Sequence, residues 1–219
     1  MRVESRMRFI RGFSIVLFFV ACSTIGYGQK SASDKIEDAP LGPKYTNIGL
    51  GFEMSLPKGW YVANSEELEV LTDEAWKDLK KGYKLSNETV LQQRRIENLA
   101  FAISKKRLGA VRNSAFGFGT VKQPNKEITA LMVAQSTAAF FLKDPGTKLA
   151  KDVSVRQIDG FDFSEFDLVV TSSLGRQNVR VLIVNLKGYS LTFSLTYWNQ
   201  LDDLQLMMSS IESLRFLNK

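Results

Sequence analysis

The sequence predicts an α+β domain, a mainly antiparallel β-sheet packed with helices, and three observations carry that prediction. Tyr189, Leu191, Phe193, Leu195 and Tyr197 alternate with Ser190, Thr192, Ser194 and Thr196, which is the period of a strand with one apolar face. After Trp198 the period changes. Leu204, Met207, Met208, Ile211 and Leu214 recur at helical spacing, and Asp202 and Asp203 favour the positive end of the helix dipole. Elsewhere strands and helices interleave without the long crossovers that a parallel sheet needs.

In chain order, Tyr45–Ile48 and Phe52–Leu56 flank Gly49 and Gly51 and read as a hairpin ended by Pro57-Lys58-Gly59. Trp60 follows and reads as a core anchor. Ser65 to Lys84 reads as a helix with Trp76, Leu79 and Tyr83 on one face and Gly82 as its stop. Leu99–Lys105 and Ala115–Val121 read as strands around a basic turn, and Glu127–Leu142 as a helix with Ile128, Leu131, Met132 and Leu142 inward. Val153–Ile158 and Phe161–Thr171 add two strands joined by an Asp159-Gly160 turn, and Asn178–Leu186 turns through Lys187-Gly188 into the alternating strand. The helix opened by Asn199 or Gln200 closes the domain, followed by Leu214-Arg215-Phe216.

The N-terminus has a different character. Arg2, Arg6, Arg8 and Arg11 precede a short apolar run, Phe13 to Cys22, and Gly26 and Gly28 occupy the −3 and −1 positions of a signal-peptidase site. The run is about half of the roughly 20 residues that a membrane-spanning helix needs. Residues 1–28 therefore read as a signal peptide, 29–44 as a polar linker and 45–219 as a single domain. Phe19-Val20-Ala21-Cys22 also resembles a bacterial lipobox, so Cys22 is the candidate lipidation site, although Phe19 and Val20 replace the usual leucine and small residue.

Composition removes several kinds of chemistry. The chain contains no histidine and its only cysteine is Cys22, which excludes Ser-His-Asp triads, Cys-His nucleophiles and His/Cys zinc sites in the mature domain. Of 29 Lys and Arg against 23 Asp and Glu, the signal takes four and one, leaving a net +3, an ordinary surface that does not point to nucleic acid. A domain of this size buries roughly 70% of its unfolded surface and should fold without disulfides or a structural metal.

Carboxylates remain as candidate ligands. Asp159, Asp162, Glu165 and Asp167 crowd one strand-turn segment, and a hard cation takes such oxygens. The simpler expectation is a solvated strand edge: Phe161 and Phe163 point in, the acids point out, and a bulge near Ser164-Glu165 shifts the phase so that Phe166, Leu168 and Val170 also point in. Lys77, Lys80, Lys81 and Lys84 stripe one side of the first helix, where they read as its solvated flank rather than a contact for anionic lipid. Lys105-Lys106-Arg107 with Arg112 reads as a blunted hairpin end, and Phe116-Gly117-Phe118-Gly119 as close packing in a strand rather than a phosphate cradle. The Ser/Thr side of Tyr189–Tyr197 is expected to face water or a helix flank, with a polar ligand groove as the alternative. Asn87-Glu88-Thr89 fits a glycosylation acceptor, relevant only in a eukaryotic secretory route.

Two segments resemble a known family. Phe52-Glu53-Met54-Ser55-Leu56-Pro57-Lys58-Gly59-Trp60 is similar to the first strand and Pro-x-Gly-Trp corner of the PsbP-like superfamily, whose members include PsbP, the Ran-binding protein Mog, LpqN and DcrB. Gly188-Tyr189-Ser190-Leu191-Thr192-Phe193, the acidic-start helix and Ile211-Glu212-Ser213-Leu214-Arg215-Phe216 resemble its C-terminal run. The resemblance spans about Tyr45 to Phe216 and lapses over the charged segment Ser65 to Asn98. It implies an α/β/α sandwich with an accessory or binding role and no common active site. The combined expectation is an exported, non-catalytic protein of the cell envelope that needs no cofactor and binds an unknown envelope protein or small ligand. Membrane association is expected only if Cys22 is lipidated or the signal stays uncleaved. The alternatives are a carboxylate-dependent hydrolase and a structural lipoprotein anchored through Cys22.

Overall fold

The tightest turns set the topology. Asp159-Gly160 and Lys187-Gly188 have both central residues at positive φ, 49° and 82° in the first and 50° and 79° in the second. That is the two-residue geometry whose twist matches flanking antiparallel strands, and Gly at the second position takes it without a Cβ clash. Ile158 accordingly faces Phe161 and Leu186 faces Tyr189 across the two hairpins. The structure is a computed structural model and describes residues 44–83, 86, 97–107, 110, 112–123, 125–172 and 174–217. The expected signal peptide, the rest of the linker, Cys22 and Asn87-Glu88-Thr89 lie outside the described residues.

The elements run β1 (Lys44–Asn47), β2 (Phe52–Ser55), β3 (Tyr61–Val62), α1 (Ser65–Tyr83), β4 (Glu97–Ser104), β5 (Ala115–Lys122), α2 (Ala130–Phe141), β6 (Thr147–Ile158), β7 (Phe161–Ser172), β8 (Gly175–Leu186), β9 (Tyr189–Tyr197), α3 (Leu201–Glu212) and β10 (Arg215–Phe216). They form a seven-stranded sheet in the order β3-β4-β5-β9-β8-β7-β6 and a three-stranded sheet β1-β2-β10. All pairings are antiparallel.

The small sheet and α3 cover one face of the large sheet. Phe52 and Met54 from β2, Phe216 from β10 and Met207, Ile211 and Leu214 from the C-terminal helix region meet Phe116, Phe118, Phe163, Leu191, Phe193 and Leu195 in the main core. On the opposite face α2 lays Val133, Ala134, Ala138 and Phe141 on Phe166, Leu168, Val170, Val179, Val181 and Ile183. There α1 places Leu71 beside Leu99 and Ala102 of β4. Helix, sheet and helix layers thus form the α/β/α sandwich, the small sheet sharing the layer of α3. Among the described residues no helix is long and apolar enough to cross a membrane.

Local chemistry fixes the helix starts. The Asn64 side chain accepts from Glu67 N (2.9 Å) while the Glu67 carboxylate accepts from Asn64 N (3.0 Å), a reciprocal cap. The Tyr61 hydroxyl donates to that same carboxylate at 2.5 Å. For α2 the cap is Thr129, whose hydroxyl accepts from Met132 N at 3.2 Å.

Four expectations are corrected. In α2, Leu131, Met132 and Leu142 are 39%, 44% and 44% exposed, and the inward stripe is Val133, Ala134, Thr137, Ala138 and Phe141; Ile128 alone packs as expected, partly buried. The helix is apolar on all sides, so spacing alone could not select its face. In β7 no bulge lies at Ser164-Glu165: the β7–β8 register is continuous, and the bulges fall in β6, between Leu149 and Lys151 and between Lys151 and Ser154 on that strand. Phe163 and Phe166 simply point to opposite faces, into different cores. Trp60 is only partly buried, packed against the edge of the main core. Finally, of the two settings expected for the Ser/Thr side of β9, water and a helix flank, the first is corrected: this side is buried, toward the helix layer.

Candidate functional site

The acidic segment comes out divided. Asp159 sits in the positive-φ turn and its carboxylate accepts from Phe216 N at 2.8 Å, tying the β6–β7 turn to β10. Asp162 is exposed and accepts from Gln157 Nε2 at 3.0 Å. Glu165 and Asp167 are not on the outward, water-screened face that the sequence suggested. The Glu165 side chain is 4% exposed and lies between Lys151 Nζ (2.6 Å) and Arg156 Nε (3.2 Å). Arg156 continues to Glu212 of α3 at 2.9 Å. Asp167 faces Arg180 across β7–β8 and receives two parallel hydrogen bonds, both 2.7 Å. The bidentate bond raises the Arg180 guanidinium pKa despite its partial burial, while burial and then the Asp167 charge push the Tyr197 hydroxyl up.

These acids therefore work as ties between strands. A buried carboxylate is tolerated where cations and hydrogen bonds replace its water, and here each partner comes from a neighbouring strand or helix. Among the described residues no group of three or more Cys, Asp or Glu side chains is placed to hold a metal ion.

The other marked residues are likewise drawn into the fold. Lys105 of the basic turn pairs at 2.7 Å with the buried Asp203, which also accepts from Ser114 Oγ at 2.6 Å, locking the β4–β5 turn to the first turn of α3. Arg107 lies 3.8 Å from Glu67, and Lys106 is exposed. Arg112, at φ 53°, donates from Nε and Nη2 to the Leu174 carbonyl (3.1 and 3.0 Å) and lies over the Trp198 ring at 5.8 Å. Phe116 and Phe118 are fully buried in the main core, leaving Gly117 and Gly119 opposite Ser194 and Thr192. On α1, Lys77 and Lys80 are exposed and Trp76 is buried. The side chains of Leu79, Lys81 and Tyr83, and Lys84 itself, lie outside the described residues.

The feature the sequence reading undervalued is the helix-facing side of β9. Ser190, Thr192, Ser194 and Thr196 are all 2% exposed or less, and Gln177 of β8 is fully buried on the same side. One end of this strip is paired: Ser190 Oγ donates to Asn185 Oδ1 at 2.6 Å, Gln123 donates to Ser190, and Asn185 donates to the Ile128 carbonyl. The other end is not. Among the described residues, Ser194 Oγ, Thr196 Oγ1, both amide atoms of Gln177 and the Trp198 Nε1 have no hydrogen-bond partner. A buried polar atom left unpaired costs about 1–3 kcal/mol, so five in one patch is an unusual concentration. The strict alternation of Ser and Thr signalled a polar face; its burial depended on how the layers stack.

No family profile matches the sequence, and none of the curated proteins does. Among solved structures, the cyanobacterial PsbP protein CyanoP of Synechocystis sp. PCC 6803 superposes with a TM-score of 0.50 at 13% identity, covering 84% of this chain and 98% of that one. LpqN of Mycobacterium tuberculosis, described as involved in cell envelope biogenesis, aligns with a TM-score of 0.43 at 10% identity over 77% of this chain and 80% of its own. A Bacteroides thetaiotaomicron protein aligns with a TM-score of 0.40 at 12% identity over 80% of this chain, which spans 48% of that protein's length. With its antiparallel sheet, its flanking helices and the near-complete overlap with CyanoP, the chain has a PsbP-like α+β fold.

Proposed function

We propose that this chain is an exported, non-catalytic accessory or binding protein of the cell envelope. The observation that carries the reading is the N-terminal pattern of four arginines, a short apolar run and the small residues Gly26 and Gly28. Two features support it. The domain has no histidine or thiol with which to run the commonest general-base or nucleophilic chemistry. Its densest carboxylate segment, Asp159 to Asp167, is engaged in ties to Gln157, Lys151, Arg156, Arg180 and the Phe216 amide.

Mass spectrometry of the mature N-terminus tests the export step. A chain beginning at Gln29 in the envelope or outside the cell supports the proposal, and an intact Met1 on cytoplasmic protein overturns it. The Phe19-Val20-Ala21-Cys22 sequence favours a second reading, a structural lipoprotein, which a mature chain starting at a diacylglyceryl Cys22 would establish. Affinity capture from the native envelope then separates binding from structural roles, because only the former requires a reproducible partner. The hydrolase alternative is tested by turnover on ester, phosphate, glycoside and peptide panels: an activity abolished by Asp162→Asn or Glu165→Gln, with folding intact, would replace the binding reading.

A further inference from the structure

One helix carries an outer surface that its sequence does not suit to water. No charged residue lies between Glu127 and Lys143, and α2 packs on β6, β7 and β8 with Val133, Ala134, Ala138 and Phe141 inward. A surface helix ordinarily carries charged or polar side chains on its outer side, and a helix that is apolar all round is ordinarily buried. Here Leu131, Met132, Gln135, Ala139 and Leu142 are exposed, with Ser136 half-buried beside them. Leu131, Gln135, Ala139 and Leu142 recur at i, i+4, i+8 and i+11, so they form one stripe along the outside of α2. On the same side of the sheet the edge strand β6 adds Val155, 56% exposed opposite Ser164.

The stripe is complementary to itself. Leu131 and Met132 at one end and Leu142 at the other bracket the smaller Ser136 and Ala139. Two such stripes laid antiparallel, with a two-fold axis beside Ser136, set Leu131 and Met132 of each copy against Leu142 of the other. The small residues at the crossing let the helix axes approach closely.

The charges at the ends agree with that arrangement. Lys126 and Glu127 precede α2, Lys143 and Asp144 follow it, and all four are exposed. Lys143 Nζ lies 5.7 Å over the Phe140 ring and Asp144 Oδ1 accepts from Gly146 N at 2.8 Å, which holds both at the end of the helix. An antiparallel pair brings Glu127 to Lys143 of the second copy and Lys126 to its Asp144, twice over, whereas a parallel pair sets like charges together. One cation and one anion at each end leave no net charge to draw the stripe to an anionic membrane.

We propose that the outer stripe of α2 is the interface of a two-fold dimer, in which a second copy of this chain packs antiparallel with Glu127–Lys143 pairs at both ends. The proposal goes beyond the envelope-binding reading and does not depend on it. A pair of twelve-residue helices falls short of the roughly 800 Å² per partner of a tight complex, so the dimer is weak and forms as concentration rises.

Sedimentation equilibrium of the chain as its host produces it, from low micromolar to millimolar concentration, tests this. The expected result is a mass that rises with concentration to twice that of the monomer and no further. Leu131→Glu and Ala139→Glu each bury a charge in the seam and should raise the dissociation constant about tenfold or more. Both positions are exposed, so melting in dilute solution should not change; Met132→Glu serves in place of either variant if it does not fold. Lys143→Glu should weaken the dimer, and adding Glu127→Lys in the same chain should restore it, because the double variant rebuilds both pairs with reversed sign. A chain that stays monomeric throughout overturns the proposal, and one that stays monomeric but is carried by anionic vesicles through Leu131 and Met132 assigns the stripe to a membrane surface instead. A dimer that survives both glutamate variants overturns it as well, by placing the contact on another face. A double variant no stronger than Lys143→Glu alone overturns the antiparallel pairing.

Discussion

The two faces of β9 use the same nine residues in opposite ways. Toward the small sheet and α3, Leu191, Phe193, Leu195 and Tyr197 join the main core, and Phe193 alone lies within ring-contact distance of Phe52, Phe116, Phe118 and Phe163, at centroid separations of 5.4 to 6.3 Å. Toward the other helices the strand presents only hydroxyls, equally buried. Burial therefore does not distinguish the faces; what fills the space beside them does. Interlocking aromatic rings fill one face, whereas the other is paired at the Ser190 end and, among the described residues, unpaired at the Thr196 end.

The largest test of this contrast is Phe193→Ala. Removing a fully buried ring from the centre of the aromatic cluster should cost about 3–5 kcal/mol in denaturant unfolding, and a loss below about 1 kcal/mol would mean that the aromatic face is not the main source of cohesion. Asp203→Ala comes next, at about 3 kcal/mol, because it strands Ser114 Oγ in the interior and releases the Lys105 ammonium. Trp60→Ala should cost about 1–3 kcal/mol, less than Phe193→Ala, because Trp60 is only partly buried. An equal cost for both would place Trp60 at the centre of the core rather than at its rim.

How much of this was legible in the sequence follows from the same contrast. The strict alternation of β9, the Asp159-Gly160 and Lys187-Gly188 turns and the change of period after Trp198 located the hairpins and α3, because each depends on local geometry. The inward face of α2 was not legible, since Leu131 and Met132 are as apolar as Val133 and only the docking angle on β6–β8 selects among them. The start of β6 at Thr147 is not legible either, because this edge strand alternates poorly and is bulged. Sequence alone places the acids of β7 in solvent, because their partners Lys151, Arg156 and Arg180 lie on other strands, out of reach of any local pattern. For the same reason the buried polar patch appeared only as an alternating run of Ser and Thr.

Two smaller effects sharpen the comparison. Ser194→Ala removes a buried hydroxyl that has no hydrogen-bond partner among the described residues, so its stability should stay within about 1 kcal/mol of the parent or rise, as thermal unfolding would show. A clear loss would mean that the hydroxyl is already satisfied. Tyr61 gives the pH dependence. Burial, followed by its hydrogen bond to Glu67, pushes its hydroxyl from 10.0 up to about 12. The raised value favours the protonated form in the folded state, so the contribution is complete below pH 10 and is lost as pH climbs through about 12. Tyr61→Phe should flatten the fall in melting temperature over that window; an unchanged slope would remove Tyr61 as its source.

The closure of the small sheet carries a consequence in time. β2 receives β10 as its second neighbour, Ser55 N donates to Ser213 Oγ across 158 positions, and Leu217 N donates to the Gly51 carbonyl at 2.7 Å. Pairings this distant in sequence form slowly, because a long loop must close before any contact is gained. Phe52, Met54 and Phe216 cap the aromatic core, so that core stays open on one side until Arg215 and Phe216 arrive. For a chain threaded unfolded through a membrane, as the proposed export would require, this late clasp delays collapse during transit; ending the chain after Leu214 should leave an apolar surface that binds hydrophobic dyes, and a truncated chain that folds normally would show that the clasp is dispensable.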